Sequence, residues 1–350
     1  MKDFPVFRAL VGVVLVGVVG GCGGGPPAQP DIALPAADEE VLLVFDDNVI
    51  HFLPDEPGKF ETVQVGAADN GREIAKVFEL ERPPAGTRIL AEVTTRPIAK
   101  DIRDVHDKWD RAGNLRLSVG DGPDVELVKF VTAYGGMTSH LVDITDLAPL
   151  FQGTAEIRGF VDTWSSPGWE MDARIRLIPD PTAAAPLWAR PLFYEPNVTA
   201  ESMTTGPLVA EVDIPEDGSW ITLHYLTSGH CTDGTGSDEF ETKDHVIIVD
   251  GAEVYRYRPW RDDCKQFRAI NPYCRRWSDG SWSADYSRSG WCPGDKILPH
   301  TVDLSAALSP GPHRVEVVIE DIRPKDEDGN LGYWRVSAYL TGRAAPSGDR

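Results

Sequence analysis

The chain has 350 residues and is acidic, with 55 Asp and Glu residues against 34 Lys and Arg residues and a formal net charge of −21 at pH 7. This charge disfavours binding to nucleic-acid phosphates and to anionic lipid head groups, so neither is expected as a partner. At roughly 100 to 200 residues per domain, the length predicts two domains.

The N-terminus has the pattern of a bacterial lipoprotein leader. Two basic residues precede an apolar run over residues 9–19, and small residues then lead to Cys22. The run is shorter than the roughly 20 residues that a spanning helix needs, so a signal peptide at 1–21 is favoured over a permanent anchor. VGGC resembles a lipobox with Cys22 as the lipidated residue, and the composition of 22–38 predicts a flexible tether. We therefore expect an exported protein of the bacterial cell envelope, periplasmic or at the surface, that meets the membrane through its lipid only.

Beyond this region, short segments of alternating apolar and polar residues are separated by Gly, Pro and Asp clusters. A period of two is typical of β-strands, and no long stretch keeps the helical period of 3.6. Residues 144–151 suggest the only helical turn. The predicted strands are residues 40–46, 60–66, 88–95, 125–134, 154–164, 171–178, 220–228, 245–251, 313–322 and 333–342. So many short strands predict two antiparallel β-sandwiches.

A Pro- and Ala-rich stretch, PDPTAAAPLWARP at residues 179–191, marks the predicted boundary between the two domains. Proline donates no hydrogen bond to a sheet, and a shift in composition is typical of linkers. We therefore expect an N-terminal domain at 39–182 and a C-terminal domain at 190–343. No internal repeat relates them.

Four cysteines follow Cys22, an even number that favours two disulfides in an exported chain. They are Cys231, Cys264, Cys274 and Cys292, and three pairings are possible. Zinc is the alternative, but the chain has no CxxC motif and no closely spaced pair of histidines. The 8 histidines are scattered, which also disfavours a copper monooxygenase. We expect no metal.

Four segments depart from the strand pattern and concentrate acidic, basic and aromatic residues. They are 105–119 with WDR, 160–166 with DTW, 224–245 with SGH and DEF, and 255–294, which ends in SRSGWCPG. Aromatic faces stack on sugars, and arginines and carboxylates bond hydroxyls, so the last segment suits a carbohydrate groove. Each segment also has a structural interpretation: solvated turn charges for the first and third, a core tryptophan for the second, and a disulfide-pinned plug for the fourth.

In this order, WDR, DTW, SGH…DEF and SRSGWCPG resemble the signature segments of the peptide:N-glycosidase F family. The resemblance implies an all-β fold of two eight-stranded antiparallel jelly-roll sandwiches, side by side, with the active site in the cleft between them. It implies catalytic carboxylates at Asp110, Glu239 and Asp162. The cleft-lining residues that it implies are Arg111, Trp164, His230, Arg288 and Trp291. It also implies a Cys264–Cys292 disulfide, which leaves Cys231 to pair with Cys274.

The family reaction is hydrolysis of the amide between an N-linked glycan and asparagine, which gives aspartate and a glycosylamine without a cofactor. The resemblance therefore implies N-glycosylated proteins or glycopeptides as partners. As a hypothesis, Asp110 activates water, Glu239 holds or donates a proton, and Arg111 or Arg288 stabilises charge.

The chain also departs from the family pattern. Asp162 is one methylene shorter than the family glutamate, and a misplacement of about 1 Å can cost roughly 100-fold in rate. Phe240 stands where the family has tryptophan, and the family's N-terminal cysteines are missing. The alternative function is therefore a surface glycan-binding protein with the same fold and little or no turnover.

Overall fold

The computed structural model describes residues 39–54, 70–233 and 237–344, which are built mainly from β-strands. In chain order the strands are β1 (Glu40–Ile50), β2 (Glu73–Leu80), β3 (Thr87–Pro97), β4 (Ala99–Asp101), β5 (Asp104–Val105), β6 (Ala112–Val119), β7 (Val125–Val131), β8 (Thr138–Asp143), β9 (Gly153–Val161), β10 (Trp169–Pro179), β11 (Trp188–Thr199), β12 (Leu208–Ile214), β13 (Trp220–Cys231), β14 (His245–Val249), β15 (Ala252–Tyr257), β16 (Lys296–Ile297), β17 (His300–Asp303), β18 (Gly311–Ile319) and β19 (Gly332–Arg343). Helical structure in these segments comprises α1 (Ala200–Thr205) and 3-10 turns at Thr145–Leu150, Cys264–Ile270 and Ser283–Asp285.

The first sandwich packs two antiparallel sheets with the orders β1-β10-β3-β8 and β16-β7-β6-β9-β2, in which the two-residue β16 comes from the second half of the chain. Strand β10 shows why the sequence forms this layer. Trp169, Met171, Ala173 and Ile175 are all fully buried and alternate with more exposed residues. This period of two directs one face of the strand into the core, where each large apolar side chain contributes about 1.5 to 3 kcal/mol through burial.

The second sandwich packs the sheets β11-β19-β13-β17 and β12-β18-β14-β15. Its core is centred on the fully buried Trp334 of β19, with Leu223 of β13 and Val315 of β18 among the buried residues around it. Each sandwich thus has eight strands of its own, and all their pairings are antiparallel. The predicted all-β fold of two eight-stranded sandwiches is confirmed.

The two sandwiches contact each other through buried polar groups. Lys129 of β7 forms an ion pair with Glu126 of the same strand, with 3.1 Å between Nζ and Oε2, and donates to the backbone oxygen of Arg335 on β19. Ser337, also on β19, donates to Oε2 of Glu126 over 2.6 Å. Asn114 of β6 donates both to Glu126 and to the hydroxyl of Tyr194 on β11. These directional contacts fix the orientation of one sandwich against the other.

Every predicted strand within the described segments coincides with a strand of the structure, and the helical turn predicted at 144–151 is a 3-10 turn. The predicted signal peptide 1–21, Cys22, the tether 22–38 and the predicted strand 60–66 lie outside the described residues. Among the residues that are described, no helix combines the length and apolar character needed to cross a membrane.

One disulfide prediction agrees with the structure and the other is wrong. Cys264 and Cys292 form a disulfide, with 5.1 Å between their Cα atoms. Cys231 and Cys274, both in the described part of the chain, do not form a disulfide with each other. The Sγ atom of Cys231 points to Oε2 of Glu239 at 3.5 Å, whereas Cys274 lies in the electrostatic range of Arg268. The two thiols therefore have different surroundings, and pairing by elimination fails here.

Candidate active site

A cavity of about 1080 Å³ is lined by residues of both sandwiches. All eight residues predicted to be catalytic or substrate-binding line it: Asp110, Arg111, Asp162, Trp164, His230, Glu239, Arg288 and Trp291. The four sequence segments that carry these residues are far apart along the chain. The fold therefore brings them to one place.

Asp110 lies in the loop before β6, with its carboxylate largely buried in the cavity wall. Its Oδ2 atom is buried and has no hydrogen-bond partner in the described part of the chain. Nη2 of Arg288 lies 3.8 Å from this oxygen, which is ion-pair distance but too long for a hydrogen bond. Burial raises the pKa of Asp110, while the charge of Arg288 and the hydroxyl of Tyr134 oppose the rise. Asp110 thus has a buried carboxylate oxygen beside Arg288 that accepts no hydrogen bond from the described residues.

Arg288 is fully buried and uses its guanidinium to join the walls of the cavity. Its Nε donates to Oε1 of Glu239 over 3.2 Å. Nη1 donates to the backbone oxygen of Tyr286 over 2.8 Å, and Nη2 donates to that of Ser283 over 2.9 Å and to the Tyr134 hydroxyl over 3.2 Å. With donors engaged on three sides, the group is held in one orientation.

Two aromatic rings enclose the same guanidinium. Its carbon lies 4.9 Å from the ring centroid of Phe240 and 4.8 Å from that of Trp291. Both distances are within cation–π range. The phenylalanine that replaces the family tryptophan therefore still packs against Arg288, although it supplies no indole N–H.

Glu239 follows β13 and is mostly buried, so the interpretation of it as a solvated surface charge is wrong. Oε1 accepts from Arg288, and Oε2 accepts from the Cys231 thiol. Burial and the nearby charge of Asp110 raise the pKa of Glu239 to about 7, although Arg288 opposes the rise. Because burial raises the pKa of Asp110 as well, the two acids titrate as a coupled pair around Arg288.

Asp238 holds the loop that carries Glu239. It is fully buried, Oδ1 accepts from the Trp334 indole over 2.9 Å, and Oδ2 accepts from the backbone N–H of Arg323 over 3.0 Å. Its φ is 62°, a left-handed conformation that Asp and Asn adopt more readily than most residues. A Cβ on Gly332 would lie 1.8 Å from Oδ2 of Asp238, so this carboxylate fits only against glycine.

Asp162 follows β9 and is paired with two arginines. Its Oδ1 accepts from Arg72 over 2.7 Å, and its Oδ2 lies 3.7 Å from Nη1 of Arg335, which belongs to the second sandwich. Arg72 in turn lies 5.0 Å over the ring of Trp164. The two arginines thus hold the carboxylate of Asp162 at the cavity wall.

Arg111 is oriented by Asp107, a buried carboxylate three residues before Asp110. Arg111 donates to both oxygens of Asp107, over 2.9 Å from Nε and 3.0 Å from Nη2. Thr163 and the indole of Trp169 also donate to Asp107, over 2.6 and 3.2 Å. Such a bidentate pair with further donors leaves Arg111 little freedom at the cavity wall.

His230 and Trp291 belong to the packed wall of the cavity. The His230 ring stacks on Trp291 and on Tyr333, with centroid distances of 5.2 and 5.3 Å, and its Nε2 bonds the Ser228 hydroxyl at 2.9 Å. Burial holds the pKa of His230 well below its usual range, so the ring is neutral. The Trp291 indole donates to the backbone oxygen of Gly229 over 2.8 Å. Both residues line the cavity, but most of their surface faces protein.

Trp109 and Trp164 differ from these buried rings because they are 63% and 58% exposed. Both line the cavity, and such open indole faces stack well on the C–H faces of sugars. Trp277 also lines the cavity and is 38% exposed. The cavity is thus lined by buried polar residues and by more exposed aromatic residues.

Six residues that form or support the site were not predicted from the sequence: Tyr134, Tyr333, Arg72, Arg335, Asp107 and Asp238. Tyr134 and Tyr333 stand at strand ends, where they look like ordinary core residues. Arg72 and Arg335 become visible only through their pairing with Asp162. Asp107 had a usable signal, since a second acidic residue so close to WDR is a plausible partner for its arginine.

Two groups in the described segments gather three acidic or thiol side chains at metal-binding distances, and neither lines the cavity. One contains the disulfide sulfurs of Cys264 and Cys292 beside Asp263. The other is Asp46, Asp47 and Asp172, and Arg96 bonds the last two. Both groups therefore lie away from the candidate active site.

A double β-sandwich with buried carboxylates around a buried arginine in its cleft is equipped for acid–base chemistry on a polar substrate. The chain resembles the peptide:N-glycosidase F family. Residues 199–341 match the family profile described as "Peptide-N-glycosidase F, C terminal". Over 259 residues the chain is 24% identical to peptide-N(4)-(N-acetyl-beta-D-glucosaminyl)asparagine amidase F of Elizabethkingia miricola, covering 68% of this chain and 70% of that protein.

Solved structures show the same fold. PNGF-II superposes with a TM-score of 0.72 at 22% identity, covering 89% of this chain and 66% of the other. The chain thus spans just under two thirds of the length of PNGF-II. PNGase F, described as a glycosylasparaginase from Flavobacterium meningosepticum, superposes with a TM-score of 0.67 at 18% identity, covering 88% of this chain and 96% of the other.

Proposed function

We propose that this protein is an amidase that hydrolyses the bond between an N-linked glycan and the asparagine side chain of glycoproteins or glycopeptides. The observation that carries the proposal is the position of Arg288 between Asp110, whose Oδ2 has no hydrogen-bond partner among the described residues, and Glu239. The resemblance to peptide:N-glycosidase F supplies the substrate class.

Hydrolysis begins when Asp110 accepts a proton from water as the water oxygen attacks the amide carbonyl carbon. The carbonyl becomes an oxyanion, and Arg288 and Arg111 are the donors nearest to this developing charge. Glu239, protonated near neutral pH, gives its proton to the departing nitrogen. The C–N bond then breaks, and the products are an aspartate side chain and a glycosylamine.

The other predicted residues take supporting roles in this proposal. Asp162, held by two arginines, supplies a fixed negative charge to orient polar groups of the substrate. Trp164 stacks on a sugar, whereas His230 and Trp291 shape the wall behind Arg288. These assignments follow from exposure, because a largely open indole reaches substrate more readily than a buried one.

A mass-spectrometric assay tests the proposal directly. The purified protein is incubated with a denatured glycoprotein in H₂¹⁸O, and we expect free glycan together with ¹⁸O in the new aspartate carboxylate. Asp110→Asn should lower the rate by at least about 1,000-fold. Asp121→Asn, the same change on an exposed turn outside the cavity, should not.

The same assay distinguishes the amidase from the alternative glycan-binding function. If the wild-type protein binds glycopeptide but releases no glycan between about pH 4 and 9, the amidase is ruled out and a glycan-binding protein is supported. Loss of activity in Asp121→Asn as well as Asp110→Asn would show that the effect of the Asp110 substitution is not specific.

We also propose that the protein is exported and anchored through a lipid on Cys22, with no membrane contact beyond that lipid. The Cys264–Cys292 disulfide supports export, because such bonds persist in oxidising compartments. Labelled palmitate should appear in the wild-type protein and be absent from Cys22→Ser. Equal labelling of both would contradict the lipid anchor.

A further inference from the structure

A short hairpin at the mouth of the cavity contributes residues that the proposed reaction does not use. Arg275 and Trp277 both line the cavity, and an isolated bridge between Arg276 and Trp282 closes the hairpin. Arg275 and Trp277 are exposed, unlike the buried Arg288 deeper in the cavity.

Backbone hydrogen bonds hold this hairpin in one shape. Arg275 and Ser283 bond twice, through Arg275 N to Ser283 Oγ over 2.9 Å and Ser283 N to Arg275 O over 2.8 Å. Trp277 N donates to Ser281 O over 2.9 Å. Ser283 O also accepts from Arg288, so the hairpin is connected to the centre of the site. The backbone of the hairpin is therefore held at the mouth of the cavity.

Arg275 stacks on its neighbour but has no acidic partner. Its guanidinium carbon lies 4.0 Å from the Trp277 ring centroid. Within the described part of the chain, no carboxylate lies at ion-pair distance from Arg275. The acids of the hairpin region are engaged elsewhere: Asp279 accepts from Ser281, and Asp285 accepts from Arg268. In a chain of net charge −21, a cation without an acidic partner beside a cavity is notable.

We propose that Arg275 and Trp277 form a subsite for a carboxylate-bearing group of the substrate. An arginine stacked on an aromatic ring keeps its in-plane N–H groups available, and this planar fork matches a carboxylate. Trp277 offers an apolar face to the carbon skeleton that carries the carboxylate. The positive charge also offsets, at short range, the repulsion that an acidic substrate meets from this acidic protein.

A carboxylate on a glycopeptide has two sources, an acidic sugar of the glycan or an acidic side chain flanking the glycosylated asparagine. Four synthetic glycopeptides separate them: sialylated or desialylated glycan, each on a peptide with either Asp or Asn beside the attachment site. This inference rests on the proposed function. The fully neutral arm keeps the tests distinct, because an amidase hydrolyses this glycopeptide whatever Arg275 does.

We expect Arg275→Gln to lower kcat/KM by roughly 5-fold for glycopeptides with the recognised carboxylate and to leave the fully neutral one unchanged. Arg275→Lys should retain only part of the preference for carboxylate-bearing glycopeptides, because lysine keeps the positive charge but lacks the planar pair of N–H donors. Arg190→Gln is the matched control. It removes an equal charge from an exposed site that does not line the cavity.

An equal effect of Arg275→Gln on acidic and neutral substrates, or no effect on either, would overturn the subsite. The same selectivity loss in Arg190→Gln would also overturn it, because general charge would then explain the preference. If the wild-type protein hydrolyses none of the four glycopeptides, the proposed amidase fails. In that case calorimetry measures the affinity of the same glycopeptides for the wild type and for Arg275→Gln. A loss of affinity confined to the acidic glycopeptides would support the subsite, and an equal effect or no effect would overturn it.

Discussion

Arg288 donates from Nε to Oε1 of Glu239 over 3.2 Å, and the donor and the acceptor come from different loops of the second sandwich. The same guanidinium lies 3.8 Å from Asp110, which the first sandwich supplies. One buried cation is therefore shared by carboxylates from both halves of the fold. Because the charge of Asp110 also raises the pKa of Glu239, the protonation states of these acids depend on each other.

The rate of glycan release should decline on the alkaline side with an apparent pKa of about 7. Burial and the charge of Asp110 raise the pKa of Glu239 to about 7, so its proton is present below this pH and lost above it. Because the proposed mechanism needs that proton, activity falls as pH rises. A pH profile of kcat/KM checks this, and Glu239→Gln should remove the limb. If kcat/KM instead rises between pH 6 and 8, Glu239 acts as a general base and not as a proton donor.

Asp238→Ala should lower kcat by roughly 10- to 100-fold, although Asp238 does not line the cavity. The change removes the acceptors for Trp334 and for the N–H of Arg323, and it places alanine at a φ of 62°. Asp238→Asn keeps the shape of the side chain and tolerates this φ, so it should lower kcat by a smaller factor. Because Glu239 would move, the alkaline limb of the pH profile should shift in Asp238→Ala. A reduced rate with an unchanged profile would indicate a purely structural role.

Asp162→Glu should reduce kcat/KM, although it restores the residue of the family pattern. The aspartate already places Oδ1 2.7 Å from Arg72 and Oδ2 3.7 Å from Arg335. One more methylene must displace at least one arginine, and a shift of about 1 Å can cost about 100-fold. Steady-state kinetics on one glycopeptide give the comparison. A higher kcat/KM in Asp162→Glu would mean that the shorter aspartate side chain limits the activity of the wild-type protein.

Replacing both Cys264 and Cys292 with serine should lower the free energy of unfolding by about 3 kcal/mol. The bond closes a loop with a sequence separation of 28, and its loss frees the unfolded chain. Denaturant unfolding measures the change. Cys274→Ser is the control, and it should change stability by less than about 0.5 kcal/mol because Cys274 is a separate thiol. A large loss in this control would favour a second disulfide.

Lys129→Met should destabilise the protein by about 3 to 5 kcal/mol. It leaves the buried carboxylate of Glu126 without the cation that lies 3.1 Å away, and it removes the bond to the backbone of Arg335. The double variant Glu126→Gln with Lys129→Met should recover part of the loss, because no unpaired charge remains. Thermal and denaturant unfolding of the wild type and both variants tests this. Equal loss in the single and double variants would exclude a contribution from the unpaired charge.

The sequence predicted the strands that carry a long alternating pattern, such as β10 with its four buried residues at every second position. It did not predict β16, because a strand of two residues has no periodicity to detect. The short β17 was missed for the same reason. Longer strands were missed as well, such as β11, whose first residues fall in the Pro- and Ala-rich stretch interpreted as the linker.

The same limit applies to the site. Asp110 and Arg288 are found through motifs, but Tyr134 becomes part of the site only because folding places its hydroxyl 3.2 Å from Arg288. The second disulfide was wrong for a related reason, since an even count of cysteines says nothing about distance. Glu239 was placed in the site through the resemblance alone, because an acidic loop in an acidic chain resembles a solvated surface until its burial is known.

Strand β16 lies within residues 199–341 yet pairs with β7 of the first sandwich, through Lys296 with Phe130 and Ile297 with Lys129. The region defined by sequence similarity therefore contributes a strand to the other sandwich. A fragment cut at the linker would leave the edge of β7 open to pairing with other chains and β16 without its partner. Gene fusions or truncations that treat the two sandwiches as separable modules would divide one sheet between two polypeptides.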